Sequence, residues 1–134
     1  MTDRNVVRVA DVMEPDYAIV DGTATVAEAL AVLQERNAHF LIVAKRHEDD
    51  EFGAVMIADI AKQVLARNRS PNRTNVYEIM SKPVLSVQPE MDIRYCARLF
   101  HRFGISTAPV IEGGEIKGIV SYDQLVLKGL ARQS

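Results

Sequence analysis

The sequence predicts an α/β (α+β) fold made of two β-α-β-β-α units related by a pseudo-twofold axis, and three observations carry the prediction. First, the apolar pattern repeats. Val12-Met13 pairs with Ile79-Met80, Val20 with Val87, Val26 with Ile93, Leu33 with Phe100 and Val43 with Val110, each pair 67 residues apart. Second, Gly53, Val55, Ile60 and Leu65 match Gly118, Val120, Leu125 and Leu130 at a spacing of 65, so the second copy lacks two residues in a loop. Third, strand-like runs and helical spacing succeed one another in the same order in both copies. Identities are few; what repeats is a structural plan. Copy one is expected over residues 6–67 and copy two over residues 76–132. Residues 68–75, polar and holding Pro71, read as the linker.

In copy one, residues 18–20 form a short strand and Asp21-Gly22-Thr23 supplies turn chemistry. Thr25 and Glu28 have capping-box spacing, and Val26, Ala29, Leu30 and Leu33 make one buried helical stripe that ends near Asn37. Residues 40–44 and 53–57 are strands separated by Lys45-Arg46-His47-Glu48-Asp49-Asp50-Glu51, a hairpin with a solvated tip. Residues 59–67 are helical, with Ile60, Val64 and Leu65 facing inward. Copy two repeats this order. It has a strand at 85–87, a helix from an Asp92 cap through Phe103, strands at 108–112 and 116–121 around a Gly113-Gly114 turn, and a helix at 123–131. One such unit cannot cover both faces of its sheet, so two are expected to pack together and leave a cleft.

Composition bounds the function. With 48% hydrophobic and 25% charged residues, this is an ordinary globular chain that can bury a core. Sixteen basic against eighteen acidic residues leave a formal charge of -2 and no general attraction to nucleic acid or anionic membranes. The lone Cys96 cannot close an internal disulfide and reads as core packing. No run of about twenty apolar residues suits a membrane span. Residues 1–8 carry no apolar run behind their charges, so a cytoplasmic location is expected. There is no Walker-type glycine loop, His-Glu-x-x-His pair, nucleophile elbow or zinc-type Cys/His spacing, so neither an enzyme nor a required cofactor is expected.

The motifs are more specific than the composition. Copy two shows Tyr77-Glu78-Ile79-Met80 at its start, Gly104-Ile105-Ser106-Thr107-Ala108-Pro109-Val110 before its second strand and Gly118-Ile119-Val120-Ser121 in its third. Copy one shows Ala10-Asp11-Val12-Met13 and Gly53-Ala54-Val55-Met56 with Asp59. Across residues 6–132 the chain resembles the CBS family, named for cystathionine β-synthase, in which two such units pair as a Bateman module. The resemblance implies a regulatory module that binds an adenosine-containing ligand (AMP, ADP, ATP or S-adenosylmethionine) in the cleft and signals to an unidentified protein effector. It also implies homodimerisation through the helices at 59–67 and 123–131, where Val126, Leu127 and Leu130 are apolar side chains available for contact or for the core.

Each implied site takes the early strand and the residues before the second strand from one copy, plus a hydroxyl and a carboxylate three residues apart from the other. Apolar side chains would sandwich the purine, the carboxylate would accept from ribose hydroxyls, and a hydroxyl with backbone N–H groups at a helix start would receive phosphate. The first site then comprises Met56, Asp59, Lys82, Val84, Leu85, Ile105, Ser106, Thr107 and Pro109. The second comprises Tyr17, Ala18, His39, Phe40, Ser121 and Gln124. Both half-motifs are incomplete: Met56 stands where a hydroxyl is expected, and Gln124 where a carboxylate is expected, with Asp123 one place earlier. Losing a charged hydrogen bond costs roughly 1.5–3 kcal/mol, or about ten- to a hundredfold in affinity.

Several residues have two readings. Asp59 serves a ribose or simply stabilises its own helix start. His39 meets a phosphate or is held locally, and Lys82 is a cleft cation or an ordinary loop lysine. The run 47–51 offers metal-capable oxygens without an EF-hand's glycine and ligand spacing, which favours the solvated tip. Arg94, Arg98, His101 and Arg102 form a basic stripe on one helix face, a weak nucleic-acid platform. The principal alternative function is a dimerisation or protein-interaction module with no physiological nucleotide.

Overall fold

The computed structural model describes residues 6–133. In chain order the regular elements are α1 (Val9–Val12), β1 (Ala18–Val20), α2 (Val26–Arg36), β2 (Phe40–Val43), β3 (Gly53–Met56), α3 (Ile57–Ile60), α4 (Ile93–Phe103), β4 (Thr107–Glu112), β5 (Glu115–Ser121) and α5 (Ala131–Gln133). The chain divides into two compact units. One is Tyr17–Val84; the other joins the segment ending at Asp16 to the chain from Leu85 onward.

In the Tyr17–Val84 unit the sheet order is β1-β2-β3, with β1 parallel to β2 and β2 antiparallel to β3. α2 forms where the capping box predicts. Thr25 N–H donates to Glu28 Oε1 at 2.8 Å and Glu28 N–H to Thr25 Oγ1 at 3.1 Å, satisfying two otherwise orphaned donors. The helix stops at Asn37, whose φ of 50° is a left-handed conformation that asparagine tolerates. Val26, Ala29 and Leu33 are buried and Leu30 is half-buried against them, packed with Leu41, Val43, Val55, Ile60 and Val64. Each fully buried apolar side chain of this size contributes roughly 1.5–3 kcal/mol.

Leu65 departs from the sequence reading: it is 78% exposed. After α3 the chain widens into a π turn over Ala61–Leu65, with Ala66 N–H donating to the Ala61 carbonyl five residues back at 2.9 Å. The wider turn changes the angular spacing on which the 3.6-residue pattern relies, so Val64 takes the inward place and Leu65 points out.

In the other unit, β4 and β5 pair antiparallel across Gly113 and Gly114, at φ 61° and 80°, the positive angles of a tight two-residue hairpin. The strand expected at 85–87 is reduced to a single parallel bridge, Val87 to Val110, held by Val87 N–H on the Pro109 carbonyl and Ile111 N–H on the Val87 carbonyl. α4 is capped by Asp92, whose Oδ1 accepts from Arg94 N–H at 2.8 Å, and ends at Gly104 with φ 66°. Val87, Ile93, Cys96, Phe100, Ala108, Val110, Val120 and Leu125 form its core. The final helix is again wide, a π segment over Gln124–Leu130 leading into α5.

Packing units and sequence repeats do not coincide at their beginnings. The stretch before each early strand belongs to the core of the other repeat. Val7, Val9 and Val12 pack with Phe100 and Leu125, whereas Val76 and Ile79 pack with Val26 and Val64. Each of these leaders ends in a two-bond backbone bridge. Glu14 exchanges N–H···O bonds with Ile119 at 2.8 and 2.9 Å, and Ser81 exchanges them with Ala54 at 2.9 Å each. The pairs are repeat equivalents, because Glu14 and Ser81 are 67 apart and Ala54 and Ile119 are 65 apart.

Candidate functional site

In the Tyr17–Val84 unit the strand directions bring several sequence-flagged residues to one end of the sheet. Ala18 begins β1 opposite Leu41, Phe40 begins β2, and Met56 ends β3 directly opposite Phe40. Tyr17 and His39 immediately precede those strand starts. The His39 carbonyl accepts from Ile57 N–H at 3.3 Å, which ties the residue before β2 to the start of α3, while its exposed imidazole makes no hydrogen bond among the described residues. Asp59 Oδ2 accepts from Met56 N–H at 2.8 Å. The carboxylate therefore caps its own helix through one oxygen and leaves Oδ1 at the sheet end, in a half-buried position.

The other unit builds the corresponding end from its own residues. Thr107 begins β4 opposite Ser121, the last residue of β5, and Tyr122 N–H donates to the Ser106 carbonyl at 3.2 Å. Gln124 Oε1 accepts from both Ser121 N–H and Ser121 Oγ–H, each at 2.7 Å. Ala108 and Pro109 are buried in the strand, Ile105 and Leu85 are half-buried, and Ser106 is exposed. This end thus offers apolar surface, hydroxyls and an amide, but the glutamine takes the carboxylate's place.

Of the first expected set, Met56, Asp59, Lys82 and Val84 lie in one compact unit and Leu85, Ile105, Ser106, Thr107 and Pro109 in the other. The second set is divided likewise, with Tyr17, Ala18, His39 and Phe40 in the former and Ser121 and Gln124 in the latter. Lys82 is not with Met56 and Asp59. Its Nζ pairs with Asp50 Oδ2 at 2.8 Å, beside the hairpin that follows Val43, and so at the opposite end of the β2–β3 ladder. Val84 N–H is held by the Phe52 carbonyl at 3.0 Å.

Asp50 is the residue that sequence reasoning missed. Placed in a run of acids, it reads as solvated, yet its side chain is only 9% exposed and binds Lys82, Arg46 N–H at 2.9 Å and Arg46 Nε at 3.3 Å. The Lys82 ammonium and then the Arg46 N–H hold its carboxyl well below the ordinary range. No sequence signal singles it out from the neighbouring acids, because its partner is a lysine 32 residues away. The basic stripe on α4 is on the surface; Arg94 pairs with Asp92 at 2.7 Å, and Arg98 stacks over the exposed Tyr95 ring at 5.3 Å. Among the described residues no cluster of His, Cys, Asp and Glu is arranged for a metal ion, and no helix is long and apolar enough to cross a membrane.

A family model for the CBS domain matches twice, over residues 9–66 and 76–129. The chain belongs to the CBS-domain family. Among curated relatives, the CBS domain-containing protein YhcV of Bacillus subtilis is 25% identical over 126 residues, covering 94% of this chain and 88% of its own length. An uncharacterised protein of Methanopyrus kandleri, MK0525, is 23% identical over 121 residues; the match covers 90% of this chain but only 61% of that protein. Among solved structures, a hexameric CBS-CP12 protein from bloom-forming cyanobacteria is 39% identical with a TM-score of 0.90, covering 92% of this chain and 68% of that one. The CBS domain pair of protein MJ0100, solved with 5-methylthioadenosine and S-adenosyl-L-methionine, shares the fold at 22% identity and a TM-score of 0.79, covering 91% of this chain and 98% of that one.

Proposed function

We propose that this chain is a regulatory CBS pair, with repeats at 6–67 and 76–132, that binds an adenosine-containing metabolite such as AMP, ADP, ATP or S-adenosylmethionine and signals its presence to a protein effector. The observation that carries the reading is the Asp59 carboxylate, held by Met56 N–H at 2.8 Å with its second oxygen left over, at the sheet end where Tyr17, Ala18, His39 and Phe40 also gather. A carboxylate fixed in this way is a pre-oriented acceptor for a ribose diol, and neighbouring apolar side chains suit a purine face. The other unit's own sheet end carries Ile105, Ser106, Thr107 and Ser121, the same kind of apolar surface with hydroxyls. That a relative of the same fold was solved with two adenosyl compounds supports the ligand class.

Thermal melting tests this directly. A ligand at a hundred times its dissociation constant stabilises the native state by about 2.7 kcal/mol, which raises the midpoint by several degrees in a chain of this size. We expect at least one of AMP, ADP, ATP and S-adenosylmethionine to do so, with the shift reduced in Asp59→Ala. No shift from any of them sinks the adenosyl reading.

A second reading, self-association without a nucleotide, is favoured by Val126, Leu127 and Leu130, which are 48%, 73% and 57% exposed on the final helix. Apolar side chains grouped in this way suit a helix-to-helix contact with a second copy. Sedimentation of the wild type and of Leu127→Glu checks it: a dimer that the glutamate dissociates supports the reading, and a wild-type monomer at every concentration removes it.

A further inference from the structure

Within the Tyr17–Val84 unit, at the sheet end away from Met56 and Asp59, lies a half-open cavity of ≈ 500 Å³. Its walls come from three segments: the turn after β1, the end of β2 with its hairpin, and the leader that precedes Val84. Val43, Tyr77 and Met80 give it an apolar side. Asp21, Arg46, Asp50 and Lys82 give it two negative and two positive charges. The volume falls in the range of small-molecule sites, and a few charged groups on an otherwise apolar lining is the usual composition of such sites.

The charges are unequally engaged. Asp50 accepts from both Lys82 and Arg46, so it mainly fixes those two cations in place. Lys82 has three donor protons and Arg46 five, and Asp50 takes only one side-chain donor from each. Asp21 makes no side-chain hydrogen bond or ion pair among the described residues and is exposed at the rim. The cavity therefore presents a pair of anchored cations with spare donors and one unengaged carboxylate, with no net charge. A polyanion would face two carboxylates here, whereas a zwitterion meets a partner at each end.

The feature is peculiar to one compact unit. Gln88, Ala10 and Pro15 stand in the other compact unit at the positions equivalent to Asp21, Tyr77 and Lys82, and there the two-residue Gly113-Gly114 turn replaces the hairpin that carries Arg46 and Asp50. The shared fold alone does not require these side chains.

We propose that this cavity is a second ligand site, independent of the adenosyl reading, that takes a free α-amino acid with an apolar side chain. The ligand's carboxylate sits on Lys82 and Arg46, its ammonium on Asp21, and its side chain against Tyr77 and Met80. Titration of the ¹⁵N-labelled protein with L-phenylalanine or L-methionine tests it by NMR. Saturable shifts are expected at the amides of Gly22, Thr23, Ala44 and Tyr77. Because each charged contact carries about tenfold or more in affinity, 3-phenylpropionate and phenethylamine, which each lack one charge, should bind at least about tenfold more weakly, and so should L-phenylalanine to Asp21→Asn or Arg46→Gln. Both substitutions are at exposed positions and leave the fold intact, which the unperturbed remainder of the spectrum verifies. AMP and S-adenosylmethionine should leave these four amides unmoved, so failure here and failure of the adenosyl reading are separable. The proposal is overturned if neither amino acid shifts these amides at about 10 mM, if the half-ligands bind equally well, or if inorganic phosphate binds there more tightly than either amino acid.

Discussion

Gln124 Oε1 receives both the backbone N–H and the hydroxyl of Ser121, each at 2.7 Å, in the place where the other repeat sets Asp59 against Met56 N–H at 2.8 Å. The capping geometry is thus kept in both repeats while hydroxyl and carboxylate are divided between them. In Gln124→Asp the hydroxyl and carboxylate come together in one repeat, and Met56→Ser does the same for the other. Each change restores one charged or hydroxyl hydrogen bond to an adenosyl ligand, so affinity should rise about tenfold or more for the variant that completes an occupied site. Calorimetric titration with AMP and S-adenosylmethionine reads this out. If neither variant binds more tightly than the wild type, the hydroxyl–carboxylate pair is not what limits binding.

The crossing of each leader over the other repeat's third strand explains two glycines. A Cβ at Gly118 would press on the Glu14 carbonyl oxygen and lie 3.1 Å from its carbon and 3.2 Å from Pro15 Cα, all backbone atoms. At the equivalent Gly53 the nearest atoms are Met80 Sδ at 2.9 Å and the Ser81 oxygen at 3.1 Å, and the methionine can swing aside. Gly118→Ala should therefore cost about 1–3 kcal/mol, and Gly53→Ala less. Urea unfolding of the two variants gives the comparison, and equal losses would mean that the leaders give way easily.

Most of the fold was legible because the decisive signals are local. The Thr25–Glu28 box, Asn37, the Asp92 cap and the Gly113-Gly114 turn each act over four residues or fewer, and all stand where the pattern put them. What failed was non-local or non-standard. Leu65 is turned outward by a π turn that a 3.6-residue period does not describe. Leu85 and Ser86 lack a ladder because only Val87 reaches β4. At the site, the sheet-end grouping of Phe40, Met56 and Asp59 follows from strand order alone, whereas Lys82 is drawn to Asp50 by an ion pair spanning 32 residues, which no pattern of spacing encodes.

Cys96 lies fully buried in the core with Phe100 and Val110, and burial pushes its thiol up to about 11. The reactive species is the thiolate, so the native protein should resist thiol reagents at pH 8 and react only as it unfolds. Labelling with a chromogenic disulfide, with and without urea, checks this. Rapid stoichiometric labelling of the folded chain would show that this core opens far more readily than its packing implies.

The Asp50 cluster sets a pH dependence whose sign is fixed. Lys82 first, then the Arg46 and Glu51 N–H groups, hold the folded carboxyl below its ordinary value of 3.8, and burial only partly opposes them. Asp92, through Arg94, and Glu78, through Asn75 N–H and Arg69, are lowered as well. A carboxylate with a depressed folded pKa contributes stability that is fully present above its unfolded pKa and is lost as pH falls through the folded one. The melting midpoint should therefore be flat from about pH 7 to 5 and decline below about pH 4. Asp50→Asn should melt lower than the wild type at neutral pH, because Lys82 and Arg46 lose their counter-charge, and the difference should shrink as acid protonates Asp50 in the wild type. Melts of both proteins across this range test the claim. A difference that stays constant down to about pH 2 would mean that the folded carboxyl is not depressed by its neighbours and that the ion pair contributes nothing to stability.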